Sequence, residues 1–448
     1  MGRERGTAMA HSSFGAGDDA PLGWRAPAHD PSAPYDGAPP PRRRWGGRRC
    51  AMTDMLHAPW MDMPAVRRLL AALARGGVGA RFVGGCVRDT LLGRTIGDID
   101  LAVDKPPDVV VQALEAAAIK VVPTGIRHGT VTAVIERRPF ELTTLRRDVE
   151  TDGRRAVVAF TDDWLVDASR RDFTFNALYA APDGALFDPF DGRVDLAAGR
   201  VRFIGDADRR IEEDRLRVLR FFRFHAWFGR PPVDGEGFAA CRRNAATLGA
   251  LSAERVAKEL LRLLAAPAPA DSLDAMVEAG ALDHWLPECL GTRVLRALVG
   301  REGDQPAPLR RLAAIVATPA IARRLRLSTQ ETLRLGLMLA PENAVQVDGD
   351  VRSLRAQIYR LGTSLFIDRV LLAVDAPGDW RAALALARSW TPPDLPVTGA
   401  DVLKLGMKPG RKVGDLLDAV ERWWIDGDFT GDRASCLAEL RRLVADDA

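Results

Sequence analysis

Four shortages mark this chain, and each removes a class of explanation. Only six of the 63 basic residues are lysine, so arginine carries nearly all the positive charge. Genome composition accounts for such a bias, and guanidinium forks also suit phosphates and base edges. Cysteine is scarce: Cys50, Cys86, Cys241, Cys289 and Cys436 are scattered without a close pair. That spacing argues against a disulfide framework or a zinc site and suits a reducing cytoplasm. Six histidines are equally dispersed, and the one His-Asp dipeptide, His29-Asp30, falls in a low-hydrophobicity tail. A histidine-aspartate phosphohydrolase centre is therefore not expected. Long apolar runs are missing too: none approaches the roughly 18 residues of a membrane span, which points to a soluble protein with no membrane partner.

What is present is ordinary in bulk: 47% hydrophobic and 27% charged residues, with a net charge of +3 too small to imply nucleic acid by itself. The 448 residues exceed one comfortable core, so several domains are expected. Residues 1–51 are rich in Gly, Pro, Ala and Arg and have no hydrophobic period. They read as a disordered extension, with Arg42 to Arg44 as a solvated basic patch. The acids Asp18, Asp19, Asp30 and Asp36 speak against a transit peptide. Periodicity predicts a helix over 65–75, strands over 80–83, 99–103, 131–135, 140–145 and 157–160, and helices over 87–92 and 107–117. From about 207 the pattern is almost wholly helical. The fold class is α+β: a small mixed-sheet head followed by an all-helical remainder.

The first chemistry-bearing stretch is Gly84-Gly85-Cys86-Val87-Arg88-Asp89, running on to Asp98-Ile99-Asp100. Gly84 and Gly85 form a turn where backbone can approach a phosphate, and Arg88 adds a charge-assisted contact. Asp98 and Asp100 stand two apart in a predicted strand, so both should project from one face. Two adjacent carboxylates are costly unless a divalent cation neutralises them, and oxygen-only ligation favours Mg²⁺. Glu141, the one acid in an otherwise apolar and hydroxylic strand, is a candidate third catalytic carboxylate. The polar stretch 148–155 after it reads as a mobile loop.

Two further stretches complete a nucleotide site. In Arg170-Arg171-Asp172-Phe173-Thr174-Phe175-Asn176, Arg171 is placed to reach a triphosphate, Asp172 to cap a helix while orienting an arginine, and Asn176 to hydrogen-bond in the pocket. In the second, Glu213, Asp214, Arg217, Arg220 and Arg223 are expected on one helix. There Asp214 and Arg217, three apart, would set an acceptor beside a donor fork. Cytosine (N4, N3) and adenine (N6, N1) complement that order, whereas uracil and guanine present the reverse and would leave polar groups unpaired. Arg220 and Arg223 lie further round, toward the triphosphate or the ribose.

Together with Glu141-Leu142-Thr143-Thr144-Leu145-Arg146, these motifs resemble those of class II tRNA nucleotidyltransferases, the CCA-adding enzymes and their poly(A) polymerase relatives. Gly125-Ile126-Arg127-His128-Gly129-Thr130, Ser252-Ala253-Glu254-Arg255-Val256, Thr398-Gly399-Ala400-Asp401-Val402 and Gly406-Met407-Lys408-Pro409-Gly410 add to the match. The resemblance implies a nucleotidyltransferase-type head over 52–190, then a neck over 191–265, a body over 266–350 and a tail over 351–448. It also implies metal at Asp98 and Asp100, and incoming nucleotide at Gly85, Arg88, Arg171, Asp214, Arg217, Arg220 and Arg223. The expected substrates are CTP, ATP and the 3′ acceptor end of tRNA, with Lys408, Arg411 and Lys412 as candidate tail contacts to RNA. Leu145 stands where relatives often carry an aromatic residue. A poly(A) polymerase, a CC-only or A-only adding enzyme, and a catalytically silent RNA-binding protein remain as alternatives. The poly(A) polymerases usually end in a long basic tail, whereas this chain ends Leu443-Val444-Ala445-Asp446-Asp447-Ala448.

Overall fold

Two short apolar strands, β1 (Ala80–Val83) and β2 (Asp100–Val103), lie at the centre of a seven-stranded sheet. The computed structural model describes residues 54–126, 129–151, 156–303 and 305–446. The expected extension over residues 1–51 lies outside them. The remaining strands are β3 (Lys120–Gly125), β4 (Thr130–Ile135), β5 (Arg138–Thr144), β6 (Arg146–Thr151), β7 (Ala156–Phe160), β8 (Tyr179–Ala180) and β9 (Leu186–Phe187). The sheet order is β3-β4-β5-β2-β1-β8-β9, and β6 and β7 form a separate hairpin. Among the described residues only the β2–β5 pair is parallel, and its register sets Asp100 opposite Glu141. Leu101 and Val103 enter the main core on one face, while Ala102 joins Val83, Leu145 and Tyr179 on the other. By strand alternation Asp100 projects toward the second face.

The mixed portion carries α1 (Pro64–Arg75), α2 (Gly85–Leu91), α3 (Pro107–Ala116), α4 (Trp164–Ser169) and α5 (Gly192–Ala198). In α1 the buried Ala65, Val66, Leu69, Ala72 and Leu73 recur at helical spacing, as the pattern predicts. Bridges from Thr174 N–H to the Arg202 carbonyl and from Ile204 N–H to the Asp172 carbonyl tie the chain to the head as far as Ile204. The mixed portion thus runs past the expected limit at 190. Next come α6 (Ala207–Glu213), α7 (Leu216–Phe228), α8 (Gly235–Asn244) and α9 (Ala253–Leu264). The described chain then continues in helices, ending with Arg433–Asp446. Its last part has its own small core of Val402, Val420, Trp424, Cys436 and Leu440.

The structure corrects the sequence reading in three places. Regular pairing in β2 begins at Asp100, so Asp98 stands on the segment before the strand. The ladder runs out there because no partner of β1 or β5 extends beyond Leu101 or Asp100. The expected loop over 148–155 is in part strand: β6 continues to Thr151 and pairs with β7, while residues 152–155 lie outside the described set. Finally, the single helix expected to carry Asp214 and Arg217 is two. Asp214 is extended, at φ −152° and ψ 104°, and its carboxylate accepts the Leu216 N–H at 3.1 Å. A short acidic side chain competing for backbone donors interrupts α6 and restarts the chain as α7.

A seam of phenylalanines joins α7 to the head. Phe221 stacks on Phe203 at 5.6 Å, and Phe173 meets Phe203 at 4.8 Å and Phe224 at 5.4 Å. Phe173, Phe175, Phe221 and Phe222 are completely buried. Truncating the ring at the centre of the seam leaves a cavity on both elements. Phe221→Ala should therefore lower stability by about 3–5 kcal/mol in chemical denaturation, and a loss below about 1 kcal/mol would show that the seam does not hold the neck to the head.

Candidate active site

Between the second face of the sheet and the middle of α7 lies a cleft of about 410 Å³. One wall is acidic, from Asp100 and Glu141, with Thr143 beside them. The opposite wall is basic, from Arg88, Arg146, Arg170, Arg171, Arg220 and Arg223. Gly84 and Gly85 form the lip, and Gly84 adopts a left-handed φ of 70° that disfavours any side chain. A Cβ on Gly85 would still find no atom nearer than 3.9 Å, so the backbone faces open space.

Five of these basic side chains are tethered. Arg171 donates from Nε to the Tyr179 hydroxyl at 2.9 Å and from Nη2 to Asp167 Oδ2 at 3.1 Å. Tyr179 in turn donates to Asp167 at 2.7 Å, and Arg170 donates to Asp167 Oδ1 at 2.8 Å. Arg220 donates from Nε to Asp172 Oδ2 at 2.7 Å, while Asn176 donates to Asp172 Oδ1 at 3.0 Å. Asn176 also accepts from Arg88 Nη1 at 2.8 Å, and Arg88 is forked onto Asp89 at 2.9 and 3.1 Å. Arg223 donates to Glu259 on α9 and lies over the Phe224 ring at 3.9 Å. Guanidinium groups held this way need little further ordering to meet phosphate oxygens.

The acids opposite are bare. Among the described residues, the carboxylates of Asp98, Asp100 and Glu141 have no hydrogen-bond or ion-pair partner. Burial pushes the Asp100 carboxyl up to about 6, Glu141 and Asp98 push the same way, and Arg171 opposes them. Like charges crowded without partners suit a divalent cation, and an all-oxygen donor set fits a hard one. No group of three or more His, Cys, Asp and Glu side chains among the described residues is placed to hold a metal ion by itself. The remaining ligands would have to come from substrate phosphates and water, the usual arrangement for magnesium.

Gly84, Gly85, Arg88, Asp100, Glu141, Arg171, Asn176, Arg220 and Arg223, all anticipated from the sequence, line the cleft together. Asp98, Asp214 and Arg217 do not line it. Asp98 is exposed before β2, close enough for its charge to raise Asp100. Arg255 reaches both oxygens of Asp214, at 3.0 and 2.8 Å. Arg217 donates to Glu213 at 2.7 Å and to the Arg170 carbonyl at 3.1 Å. Sequence reasoning missed Asp167, Tyr179 and Glu259. Asp167 was detectable in principle, since it precedes Arg170 and Arg171 by helical spacing. Nothing local announces Glu259, 36 residues beyond its arginine.

A family model described as "Poly A polymerase head domain" matches residues 80–202, and one described as "Probable RNA and SrmB- binding site of polymerase A" matches 233–290. The class is that of head-domain nucleotidyltransferases on a helical body. CCA tRNA nucleotidyltransferase 1, mitochondrial, of Danio rerio is 34% identical over 377 residues, covering 80% of this chain and 86% of that protein. The CCA-adding enzyme of Geobacillus stearothermophilus is 32% identical over 410 residues, covering 83% and 95%. A crystal structure of Bacillus stearothermophilus CCA-adding enzyme in complex with CTP superposes with a TM-score of 0.71 at 26% identity, covering 86% of this chain and 100% of that one. A Thermotoga maritima CCA-adding enzyme complexed with tRNA shares the fold, with a TM-score of 0.62 at 19% identity and coverages of 87% and 97%. The chain belongs to the class II tRNA nucleotidyltransferase family, the CCA-adding enzymes and their poly(A) polymerase relatives.

The tethers have a pH signature. Burial alone would raise Asp172, yet Arg220 beside it, with Asn176 and Arg217, brings it down to about 2. Asp167 is likewise held at about 2, burial being outweighed by Arg171, Arg170 and the Tyr179 hydroxyl. Carboxyls depressed by folding contribute stability above their unfolded value, near 3.9, and lose it as pH falls toward 2. Unfolding free energy should therefore fall between about pH 4 and pH 2, and less steeply in Asp172→Asn. Identical acid slopes for the two proteins would mean that the Asp172–Arg220 pair is not formed.

Proposed function

We propose that this protein adds C, C and A to the 3′ end of tRNA from CTP and ATP, without a nucleic-acid template, releasing pyrophosphate at each step. The observation that carries this reading is the bare Asp100 and Glu141 pair, with the charge of Asp98 close by, sharing one cleft with six arginines. The open Gly84–Gly85 lip admits the triphosphate, and Arg88, Arg171, Arg220 and Arg223 offer their free N–H groups to its oxygens. Positioning and charge stabilisation by these fixed groups carry the chemistry. The terminal hydroxyl of the RNA attacks the α-phosphorus in line, a new O–P bond forms, the α–β bridging bond breaks and pyrophosphate leaves. Asp98 and Asp100 would hold a divalent cation, magnesium, which when bound would supply charge neutralisation and a more acidic attacking hydroxyl. Glu141, in register with Asp100, adds the third carboxylate.

Base choice falls to Asp214 and Arg217 at the α6–α7 break. Asp214 accepts from the amino group of cytosine or adenine, while Arg217 donates to the neighbouring ring nitrogen. Both are now held by Arg255 and Glu213, which keeps their polar atoms satisfied until a base arrives. The scattered free cysteines suit work in a reducing cytoplasm.

The direct test is incubation with tRNA lacking its 3′ end and each nucleotide alone or in pairs, sized to one nucleotide. Addition of CC with CTP alone and CCA with both supports the reading, whereas long A tails would assign the chain to the poly(A) polymerase side of the family. Asp100→Ala should reduce incorporation at least about a thousandfold while tRNA affinity stays near that of the unmodified protein. Retained turnover with CTP would contradict the metal assignment. Asp214→Ala should lower discrimination against UTP and GTP by about tenfold, and unchanged selectivity would reject the proposed readout.

A further inference from the structure

Behind the basic wall of the cleft lies a second cavity of about 320 Å³ that the reaction as described does not use. It shares Arg88 and Arg223 with the cleft and adds Arg94, Arg262, Trp227 and Phe228. Its lining holds four guanidinium groups against one carboxylate, Asp89, which already pairs with Arg88. Phe228 is sandwiched between cations, with Arg88 at 4.4 Å and Arg94 at 4.6 Å from its ring. Arg94 is fixed by its bond to the Trp227 carbonyl at 2.9 Å, and the Trp227 indole donates to the Arg262 carbonyl at 2.8 Å. Arg262 itself is exposed at the mouth, and its guanidinium has no partner among the described residues. A rigid floor, two aromatic faces and an unsatisfied cation at the rim form a site for a small polyanion.

Position says which one. Arg217, Arg220, Arg223 and Trp227 recur at helical spacing along α7, a run of about 15 Å at 1.5 Å per residue. If the base lies at Arg217 and the polyphosphate at Arg220 and Arg223, the next station along that face is this cavity. We infer that the cavity receives the departing inorganic pyrophosphate, passed across the shared Arg88–Arg223 wall and held at the rim by Arg262, so that release is separated from the triphosphate site. The inference rests on the reading that the cleft holds a nucleoside triphosphate.

Calorimetric titration of pyrophosphate into protein saturated with CTP and magnesium, with tRNA omitted, tests it without requiring turnover. The expected result is that pyrophosphate still binds with the cleft filled, about fivefold more weakly in Arg262→Gln and largely restored in Arg262→Lys. In steady-state incorporation, pyrophosphate inhibition should keep a component that CTP cannot overcome, weakened to the same degree by Arg262→Gln, with the KM for CTP within about twofold of the parent. Strictly competitive inhibition, equal in both proteins, would overturn the inference. So would an Arg262→Gln variant altered only in its KM for tRNA, since the cavity would then be taking RNA backbone. Failure of CTP to bind at all would instead count against the triphosphate reading of the cleft.

Discussion

The structure depends on a charge imbalance that the protein resolves on only one side. Asp167, Asp172, Glu259 and Asn176 hold Arg171, Arg220, Arg223 and Arg88 at fixed positions, so the basic wall is rigid. Asp98, Asp100 and Glu141 receive no such partner, and burial plus mutual repulsion drive the Asp100 carboxyl upward. Satisfying one wall and starving the other makes the cleft complementary to a polyphosphate that arrives with a cation. Neither half would bind well alone: the acids need positive charge, and the arginines keep donors that their own tethers do not use.

That imbalance is maintained across a junction between two kinds of architecture. Asp100 and Glu141 come from a parallel strand pair whose register fixes their separation. Arg220 and Arg223 come from a helix outside the sheet, so their distance from the acids depends on packing rather than on a ladder. The phenylalanine seam supplies that packing, and the Asp172–Arg220 pair crosses the same junction beside it. Mechanical and electrostatic links thus coincide: the residue that orients an arginine also locks its helix to the head. The break at Asp214 has a related consequence. An extended residue between α6 and α7 is freer to exchange Arg255 for another partner, as the proposed base readout requires, than one fixed inside a helical turn.

Much of this was legible in the sequence, and the reasons it was or was not are physical. The strands around Gly84–Gly85 and Asp100 carry dense apolar runs and punctuating glycines, so their placement came from pattern alone. Lys120–Gly125 escaped because it is an edge strand interrupted by Pro123, a residue tolerated only where a ladder hydrogen bond is not needed. The Glu136–Arg137 hairpin turn also lacked a signal, since both residues take positive φ without the usual Asn or Gly. The interruption at Asp214 was hidden by the helical spacing of the charges on either side of it. Long-range tethers such as Arg223–Glu259 and Arg255–Asp214 cannot be read from spacing, because helix packing brings those partners together.

The most direct measurement of the central claim is a crystal structure of this protein grown with CTP and manganese, read through the anomalous signal of the metal. The account requires an anomalous peak at about 2.0–2.3 Å from carboxylate oxygens of Asp98 and Asp100, with the triphosphate spanning from the Gly84–Gly85 lip to Arg220 and Arg223. A nucleotide bound elsewhere, or a metal peak away from both aspartates, would contradict it.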